Sequence, residues 1–339
     1  MTRRAARRAA YGLLAGFLLG AGGAPGTTTL APVPVERSVY LMGTIATLAA
    51  DAADRAAGLR QLERMVRVVE AAEAELSTWR DDSVLGRLNR QPVGEAMSAP
   101  VAVCDLLERV ESWHDATGGA FDPAIGSLIE AWNLRGEGRQ PDDAALQAAR
   151  RNAGWEHLTV GLGGAAECAI TRTADVTLDA GAFGKGEAID RVRRAEGAEA
   201  DAWMIDFGGQ VAVAGGSWPV AIAHPVKRNE AALEITLSEG SLATSGGSES
   251  DLTLPDGTRI GHILDPRTGR PAPARQPFSV SVWHERALDA DILSTALYVM
   301  GPEEGIAWAE ARGIAACFLI ADEVDEVDVR ATSAFEARF

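Results

Sequence analysis

The stretch Leu178-Asp179-Ala180-Gly181-Ala182-Phe183-Gly184-Lys185-Gly186 marks the passage from a strand to a helix. A strand ends over residues 177–180, glycines follow, and a helical pattern begins at Gly184. Free backbone N–H groups at a helix start attract phosphate, and Lys185 adds a positive charge in the first turn. The spacing fits neither GxxxxGK[ST] nor GxGxxG. The stretch therefore indicates either a phosphate site of another kind or a tight turn with a solvated lysine.

Outward from this stretch, helices and strands follow one another without strict alternation. Helical patterns cover residues 54–75, 101–116, 121–132, 142–153, 184–195, 290–298 and 303–312. Strand patterns cover residues 39–49, 204–207, 211–214, 218–223, 232–237, 241–244, 260–264, 278–283 and 314–320. This order predicts an α+β fold with mixed sheets flanked by helices rather than a doubly wound sheet.

The first residues predict export. Arg3, Arg4, Arg7 and Arg8 precede the apolar residues 11–21, and small residues follow up to Ala24. Residues 1–24 are therefore expected to be a signal peptide of the twin-arginine type, and the protein to be periplasmic. The apolar stretch is shorter than the roughly 20 residues of a spanning helix, although an uncleaved membrane anchor is the alternative. No cysteine lies nearby, so no lipid anchor is expected.

The rest of the chain is predicted to contain a linker over residues 25–37, one domain over 38–325 and a tail over 326–339. The formal net charge is −16. Such an acidic protein repels nucleic acid and anionic membrane surfaces, so neither is an expected partner. Any phosphate ligand would need local cations or a metal ion.

Three widely spaced cysteines, Cys104, Cys168 and Cys317, show no zinc-binding pattern. Their odd number argues against a disulfide framework. Cys317 lies in an apolar run and is expected to be buried.

Two oxygen-bearing side chains, Asp291 and Thr295, are spaced i, i+4 and therefore share one face of a predicted helix. A carboxylate and a hydroxyl placed in this way offer two hard oxygens to Mg²⁺. The alternative is that Asp291 is an ordinary acidic residue near a helix N-terminus.

Other candidate residues have equally plain alternatives. Trp79 and the segment Ala120-Phe121-Asp122 offer aromatic surface with a polar edge to a flat heteroaromatic ring, or they pack in the core. His262 could take a proton from an attacking hydroxyl, or it is a hydrogen-bonded core residue. Phe207-Gly208-Gly209 permits close backbone approach, or it forms a simple hairpin or bulge.

The order of these motifs resembles the ApbE family of FAD:protein FMN transferases over residues 38–320. The resemblance is carried by the following residues: Met42-Gly43-Thr44, Leu76-Ser77, Asp82-Ser83, Leu88-Asn89, Gly118 to Pro123, Asp179 to Gly186, Asp190, Asp206 to Gly209, Ala243 to Gly246, Gly261 to Gly269, and Ala290-Asp291 to Thr295.

The resemblance implies a two-lobed domain with FAD bound in a cleft between the lobes. It implies that the FAD site is lined by Met42, Trp79, Ala120, Phe121, Asp122, Asp179, Lys185 and Leu264. Mg²⁺ would be held by Asp291, Thr295 and the backbone carbonyl of Ala182. His262 would be the base, and Lys185 would offset phosphate charge. FMN would pass from FAD to a Ser or Thr hydroxyl in a flavoprotein domain of a membrane redox complex, with release of AMP.

The sequence departs from the family pattern at Glu187 and at Gly247-Ser248, where aromatic residues are common. Its signal and absent lipid anchor look more like members associated with nitrous-oxide respiration. Two other functions stay open at this point. One is a Mg²⁺-dependent FAD pyrophosphatase, in which water replaces the hydroxyl. The other is a periplasmic flavin-binding protein without catalysis.

Overall fold

An eight-stranded antiparallel sheet, in the order β1-β2-β6-β7-β10-β15-β16-β17, organises this computed structural model. The strands of the chain are β1 Val33–Leu41, β2 Thr44–Ala52, β3 Ala96–Pro100, β4 Leu158–Leu162, β5 Glu167–Arg172, β6 Ala202–Asp206, β7 Gln210–Ala214, β8 Trp218–Ala223, β9 Ala231–Leu237, β10 Gly240–Gly246, β11 Leu252–Thr253, β12 Arg259–Ile260, β13 Leu264–Asp265, β14 Arg270–Pro271, β15 Phe278–His284, β16 Ala315–Ala321 and β17 Val327–Ala331. A smaller sheet has the order β3-β5-β4, and three two-stranded hairpins complete the set.

The helices are α1 Arg55–Leu76, α2 Val84–Arg90, α3 Val101–Ala116, α4 Gly126–Ala131, α5 Asp143–Arg151, α6 Gly184–Glu196, α7 Ala287–Glu310 and α8 Ser333–Glu336. Short 3₁₀ turns occupy Trp155–His157 and Ala180–Ala182. The combination of helices with antiparallel sheets confirms the predicted α+β class.

The structure describes residues 32–162, 167–197, 200–227, 229–247, 251–254, 257–272, 277–321 and 326–339. The predicted signal peptide 1–24 lies outside these residues. None of the helices in these ranges has the length and hydropathy needed to cross a membrane.

Each face of the large sheet buries apolar side chains against a different layer. On one face, α1 and α6 pack against β1, β2 and β6 around the fully buried Leu62, Ile189 and Trp203. On the other face, the β8–β9 hairpin and α8 cover the central strands through Ile222 and Phe335. A further core joins α2, α3 and the small sheet to the first half of α7. The helix α7 is thus central to the packing.

The first part of the domain differs from the sequence-based expectation. The apolar run predicted as one strand over residues 39–49 is a hairpin of β1 and β2, which turns at Met42 (φ 49°) and Gly43 (φ 78°). β1 begins at Val33, so residues 33–37 belong to a strand and were wrongly predicted as linker. Alternation alone cannot locate a two-residue turn when both arms continue the same apolar pattern.

The last part also differs. Residues 326–339, predicted as a tail, contain β17 at the edge of the large sheet and α8. The two helices predicted near the end are the halves of α7, which is interrupted at Gly301 (φ 79°) before Pro302. The helix expected over residues 121–132 is restricted to α4.

A disulfide joins Cys104 of α3 to Cys168 of β5. The odd cysteine count argued against a disulfide framework, and this expectation was wrong. Two of the three cysteines form the bridge, and the third, Cys317, is a buried free thiol. The bridge has a sequence separation of 64. Closing a loop of that length in the unfolded chain stabilises the native state by about 4 kcal/mol in the chain-entropy account.

Candidate functional site

The start of α7 is fixed by two buried carboxylates. Asp190 of α6 accepts hydrogen bonds from the backbone N–H groups of Ala287 and Leu288, at 2.8 and 3.1 Å. Asp289 accepts from the Arg109 guanidinium at 2.9 and 2.5 Å and from the Trp113 indole at 2.7 Å. The Asp190 bonds satisfy two orphan donors at the helix N-terminus and tie α7 to α6, while the Asp289 bonds tie α7 to α3. They define where the next turn of α7, which carries Asp291, must lie.

Asp291 is buried and faces the start of α6. Its Oδ2 accepts a hydrogen bond from the backbone N–H of Gly186 at 3.0 Å. Burial raises the pKa of this carboxyl, while the nearby Lys185 and the Gly186 N–H act in the opposite direction. Lys185 and Asp291 thus lie near each other although they come from elements about 100 residues apart in sequence. Their predicted roles at the phosphates and the metal ion stay predictions.

Gly186 permits the close approach of α6 and α7. A Cβ atom at this position would lie 2.5 Å from the carbonyl oxygen of Ala287 and 2.6 Å from the Cα of Leu288. Both neighbours are backbone atoms and cannot move without shifting α7. The glycine of the Lys-Gly pair is therefore required by packing, and the contact places Asp291 beside the first turn of α6.

Hydroxyl groups surround the same turn of α7. Thr295 Oγ1 donates to the Asp291 carbonyl at 3.3 Å, and Ser294 Oγ donates to it at 3.0 Å. Ser294 Oγ also lies 2.9 Å from Ser245 Oγ of β10. The motif Ala243 to Gly246 thus meets the α7 motif through a pair of serine hydroxyls.

Turns at one end of the large sheet lie next to this region. Asp206 Oδ1 accepts from the Gly208 N–H at 2.6 Å, and Gly208 has φ 79°, so residues 207–209 form the tight β6–β7 turn. Burial raises the pKa of Asp206. The Gly209 carbonyl accepts from the Thr244 N–H at 2.7 Å. A Cβ at Gly184 would lie 3.5 Å from Met42 Cε, so the β1–β2 turn also reaches the start of α6.

The surroundings of Asp291 fit a divalent cation. An ionised carboxylate in a buried place is stabilised by a counter-charge or a metal ion. In the described ranges Asp291 has Lys185 near it but makes no direct ion pair. Its second oxygen and the Thr295 hydroxyl are hard oxygen donors. No group of three or more His, Cys, Asp or Glu side chains suited to a metal occurs in the described part of the chain. A site with one carboxylate suits Mg²⁺, which commonly completes its shell with water and substrate phosphates.

A second cluster lies where the chain enters α6. Asp179 caps the 3₁₀ turn through the Gly181 N–H at 2.6 Å and accepts from Arg135 Nη2 at 2.5 Å. The Arg135 guanidinium carbon lies 4.4 Å from the centre of the Trp79 ring. Trp79 is 71% exposed, so core packing is excluded for it and a face for a flat ligand is accessible.

The segment Ala120-Phe121-Asp122 packs beneath the α7 site. Ala120 shares a core cluster with Leu293 and Leu297 of α7, while Phe121 is buried in the neighbouring cluster. Asp122 accepts from the backbone N–H groups of Ala124 and Trp155, at 2.7 and 2.9 Å. Burial raises the pKa of its carboxyl.

Asp122 also lines a cavity of about 260 Å³ with His114, Arg150 and Arg267. Its hydrogen bond to the Trp155 N–H stabilises the turn at residues 154–155. That Asp122 also contacts FAD stays a prediction.

His262 lies on the segment between β12 and β13. Its Nδ1 lies 2.8 Å from Asp251 Oδ1, and its backbone N–H donates to the same oxygen at 3.1 Å. Because a carboxylate accepts, Nδ1 carries the proton and Nε2 is left as an acceptor. The next residue, Ile263, packs against the α7 cluster, and Leu264 is buried with Leu128 and Trp132.

Among the contributors to these clusters that sequence reasoning missed are Arg135, Asp251 and Ser294. Arg135 and Asp251 lie in segments with no recognisable motif. The signal for Ser294 was present, because it is the residue before Thr295 in a motif already singled out. The predicted residues Ala182, Lys185, Asp291 and Thr295 lie around the contact of α6 with α7, whereas Leu264 lies in a separate core cluster.

A profile of the ApbE family matches residues 42–318. The chain is 35% identical over 275 residues to the FAD:protein FMN transferase of Treponema pallidum (strain Nichols). The aligned region covers 74% of each chain. It is 30% identical over 328 residues to that of Salmonella typhimurium, covering 92% of this chain and 91% of that protein.

Solved structures give the same result. The apo form of the Pseudomonas stutzeri flavinyl transferase ApbE superposes with a TM-score of 0.77 at 26% identity, covering 91% of this chain and 97% of that one. The flavin transferase ApbE from Vibrio cholerae gives a TM-score of 0.75 at 28% identity, with coverages of 90% and 99%.

Proposed function

The chain belongs to the ApbE family, and from this we propose that it transfers FMN from FAD to a Ser or Thr hydroxyl of an acceptor flavoprotein. The relatives are transferases named for this reaction, and they match most of the chain. The link formed would be a phosphoester, AMP would be released, and Mg²⁺ would be required. The acceptor would belong to a membrane redox complex.

The observation that supports this proposal most strongly is the placement of the buried Asp291 carboxylate against the first turn of α6. Backbone N–H groups at a helix start and the Lys185 ammonium attract phosphate. A carboxylate at the same point would repel phosphate unless a cation lay between them. The helix start and the nearby carboxylate therefore fit a diphosphate bound together with Mg²⁺. The Mg²⁺ ion would be held by Asp291, Thr295 and the carbonyl of Ala182.

The reaction exchanges the phosphoanhydride bond of FAD for a phosphoester bond to the acceptor. The acceptor hydroxyl oxygen forms a bond to the FMN-side phosphorus, and the bond from that phosphorus to the bridging oxygen breaks, so that AMP leaves with that oxygen. Nε2 of His262 takes the hydroxyl proton, while Asp251 holds the ring and stabilises the imidazolium that results. Lys185 offsets phosphate charge. When bound, Mg²⁺ supplies further neutralisation of the phosphates and of the charge that develops on AMP.

A product analysis tests this function against its alternatives. The protein is mixed with FAD, MgCl₂ and a candidate periplasmic flavoprotein domain, and the acceptor is examined for covalent in-gel flavin fluorescence. We expect fluorescent acceptor and AMP in equal amounts, and neither when MgCl₂ is replaced by EDTA. Free FMN with AMP and no labelled acceptor would indicate a pyrophosphatase. FAD retained without turnover would indicate a flavin-binding protein.

We also propose that the protein is exported to the periplasm. The arginine-rich start of the chain supports this, and so does the Cys104–Cys168 disulfide, because such bridges persist in oxidising compartments. Cell fractionation followed by amino-terminal sequencing tests the proposal. Recovery in the cytoplasm with residues 1–24 intact would contradict it.

A further inference from the structure

We propose that Arg135 is a positioning residue of the dinucleotide site. Its side chain holds those of Trp79 and Asp179 in the orientation that receives FAD. The inference rests on the proposed function, because it takes Trp79 and Asp179 as residues that face FAD. Arg135 belongs to none of the motifs that carry the family resemblance.

The contacts of Arg135 join two segments that are distant in sequence. Its guanidinium carbon lies 4.4 Å from the centroid of the Trp79 ring, and Nη2 donates to Asp179 Oδ2 at 2.5 Å. Trp79 is 71% exposed, so few other contacts restrict its ring. A cation over one face of an indole attracts it and leaves the opposite face available for stacking. One side chain thus orients both a stacking surface and a carboxylate.

The backbone that carries Arg135 is well anchored. Two residues earlier, Asn133 adopts φ 51°, and its carbonyl accepts from the N–H groups of Gly136 and Gly138, at 3.0 and 3.2 Å. The buried Trp132 donates its indole N–H to the Gly269 carbonyl at 2.8 Å. The turn after α4 is therefore a defined structure, and it directs the guanidinium towards Trp79.

The charge of Arg135 is already paired with Asp179, so its effect on a ligand passes through its two partners. Arginine has a planar fork that can stack on a ring and bond to a carboxylate together. Lysine keeps the charge but lacks the flat surface. The Arg135→Lys variant therefore distinguishes an effect of the orientation of Trp79 and Asp179 from an effect of positive charge alone.

The test measures FAD binding by flavin fluorescence without acceptor, and FMN transfer with acceptor, for Arg135→Ala, Arg135→Lys, Trp79→Leu and the double variant Arg135→Ala/Trp79→Leu. We expect Arg135→Ala to raise the Kd and KM for FAD about tenfold while kcat at saturating FAD stays within about twofold. Arg135→Lys should recover little of the loss. In the Trp79→Leu background, Arg135→Ala should add much less than tenfold.

The matched control is Arg151→Ala, an exposed arginine of α5, which should bind FAD like the wild type. Thermal unfolding of each variant verifies that the fold is kept. The proposal is overturned by wild-type affinity in Arg135→Lys, by additive losses in the double variant, or by a lower kcat with unchanged KM. FAD binding is measured without acceptor, so the two proposals can fail separately. If the protein transfers no FMN but its affinity for FAD depends on Arg135, the proposed function is wrong and this inference is supported.

Discussion

The imidazole of His262 is oriented by Asp251, which binds both its Nδ1 and its backbone N–H. Two bonds to one carboxylate oxygen fix the ring and its tautomer, so that Nε2 can accept a proton. At the scale of the residue, we propose that this pair supplies the base and that Asp291 with Lys185 forms the phosphate end of the site.

Replacing His262 tests its role as the base. We expect His262→Ala to lower kcat for FMN transfer by about 10²- to 10⁴-fold, because the hydroxyl proton loses its acceptor. The Kd for FAD, measured by fluorescence titration, should stay close to that of the wild type. His157→Ala is the control, since His157 lies in the Trp155–His157 turn. Wild-type transfer by His262→Ala would exclude the residue as the base.

Several single residues could be predicted from the sequence because their motif limits what they can do. Asp291 and Thr295 share a helix face through their i, i+4 spacing, and the structure places both on the same turns of α7. Arg135 could not be predicted in this way. Its partners Trp79 and Asp179 lie 56 and 44 residues away, and no local pattern encodes a contact over that distance.

The contact of α6 with α7 brings the Asp291 carboxylate beside the first turn of α6, and Gly186 lies at this contact. We expect Gly186→Ala to lower the free energy of unfolding by about 1–3 kcal/mol, because the added Cβ meets backbone atoms at 2.5 and 2.6 Å. FAD binding in the presence of Mg²⁺ should weaken as Asp291 moves away from α6. Chemical denaturation and fluorescence titration measure the two effects.

Gly184→Ala is the matched control for this variant. It lies in the same turn of α6, but its Cβ would make ordinary contacts of 3.4 and 3.5 Å with Ala180 and Met42. We expect a change in unfolding free energy below about 1 kcal/mol. Equal effects of the two substitutions would show that close packing of α6 on α7 is not what requires Gly186.

Among the elements, the long helices α1 and α3 and the strand β16 were predicted nearly to their ends, because amphipathic or apolar patterns define them. The Met42–Gly43 turn and the edge strand β17 were not. A turn with a non-glycine residue at φ 49° has no clear sequence signature. β17 has mainly exposed or half-buried residues, so its pairing with β16 is set by the neighbouring strand rather than by its own pattern.

At the scale of the molecule, the reactivity of the three cysteine thiols tests the disulfide that links α3 to β5. The native protein should show no rapidly reacting thiol, because Cys104 and Cys168 form a disulfide and burial raises the pKa of Cys317 to about 11. Unfolding without reductant should expose one thiol, and unfolding with reductant should expose all three cysteines. Counting thiols with a chromogenic disulfide reagent in the full oxidised chain checks each state. Three reactive thiols without reductant would exclude the bridge.

The sequence predicted the fold class and the reaction, because motifs spread over residues 38–320 occur in one order. It did not predict how they meet. In the structure, the turns after β1 and β6, the end of β10 and the starts of α6 and α7 lie together. They are joined by the bonds Gly186–Asp291, Gly209–Thr244 and Ser245–Ser294. This meeting of motifs depends on strand order, which no local pattern specifies.

We propose above all that Asp291 holds the divalent ion that binds the diphosphate of FAD. A crystal structure of the protein with FAD and Mn²⁺ in place of Mg²⁺ tests it most directly through the anomalous signal of manganese. We expect a peak beside the Asp291 carboxylate and the Thr295 hydroxyl, with FAD phosphate oxygens in the same coordination shell. A peak distant from Asp291, or FAD phosphates bound with no ion next to that carboxylate, would contradict it.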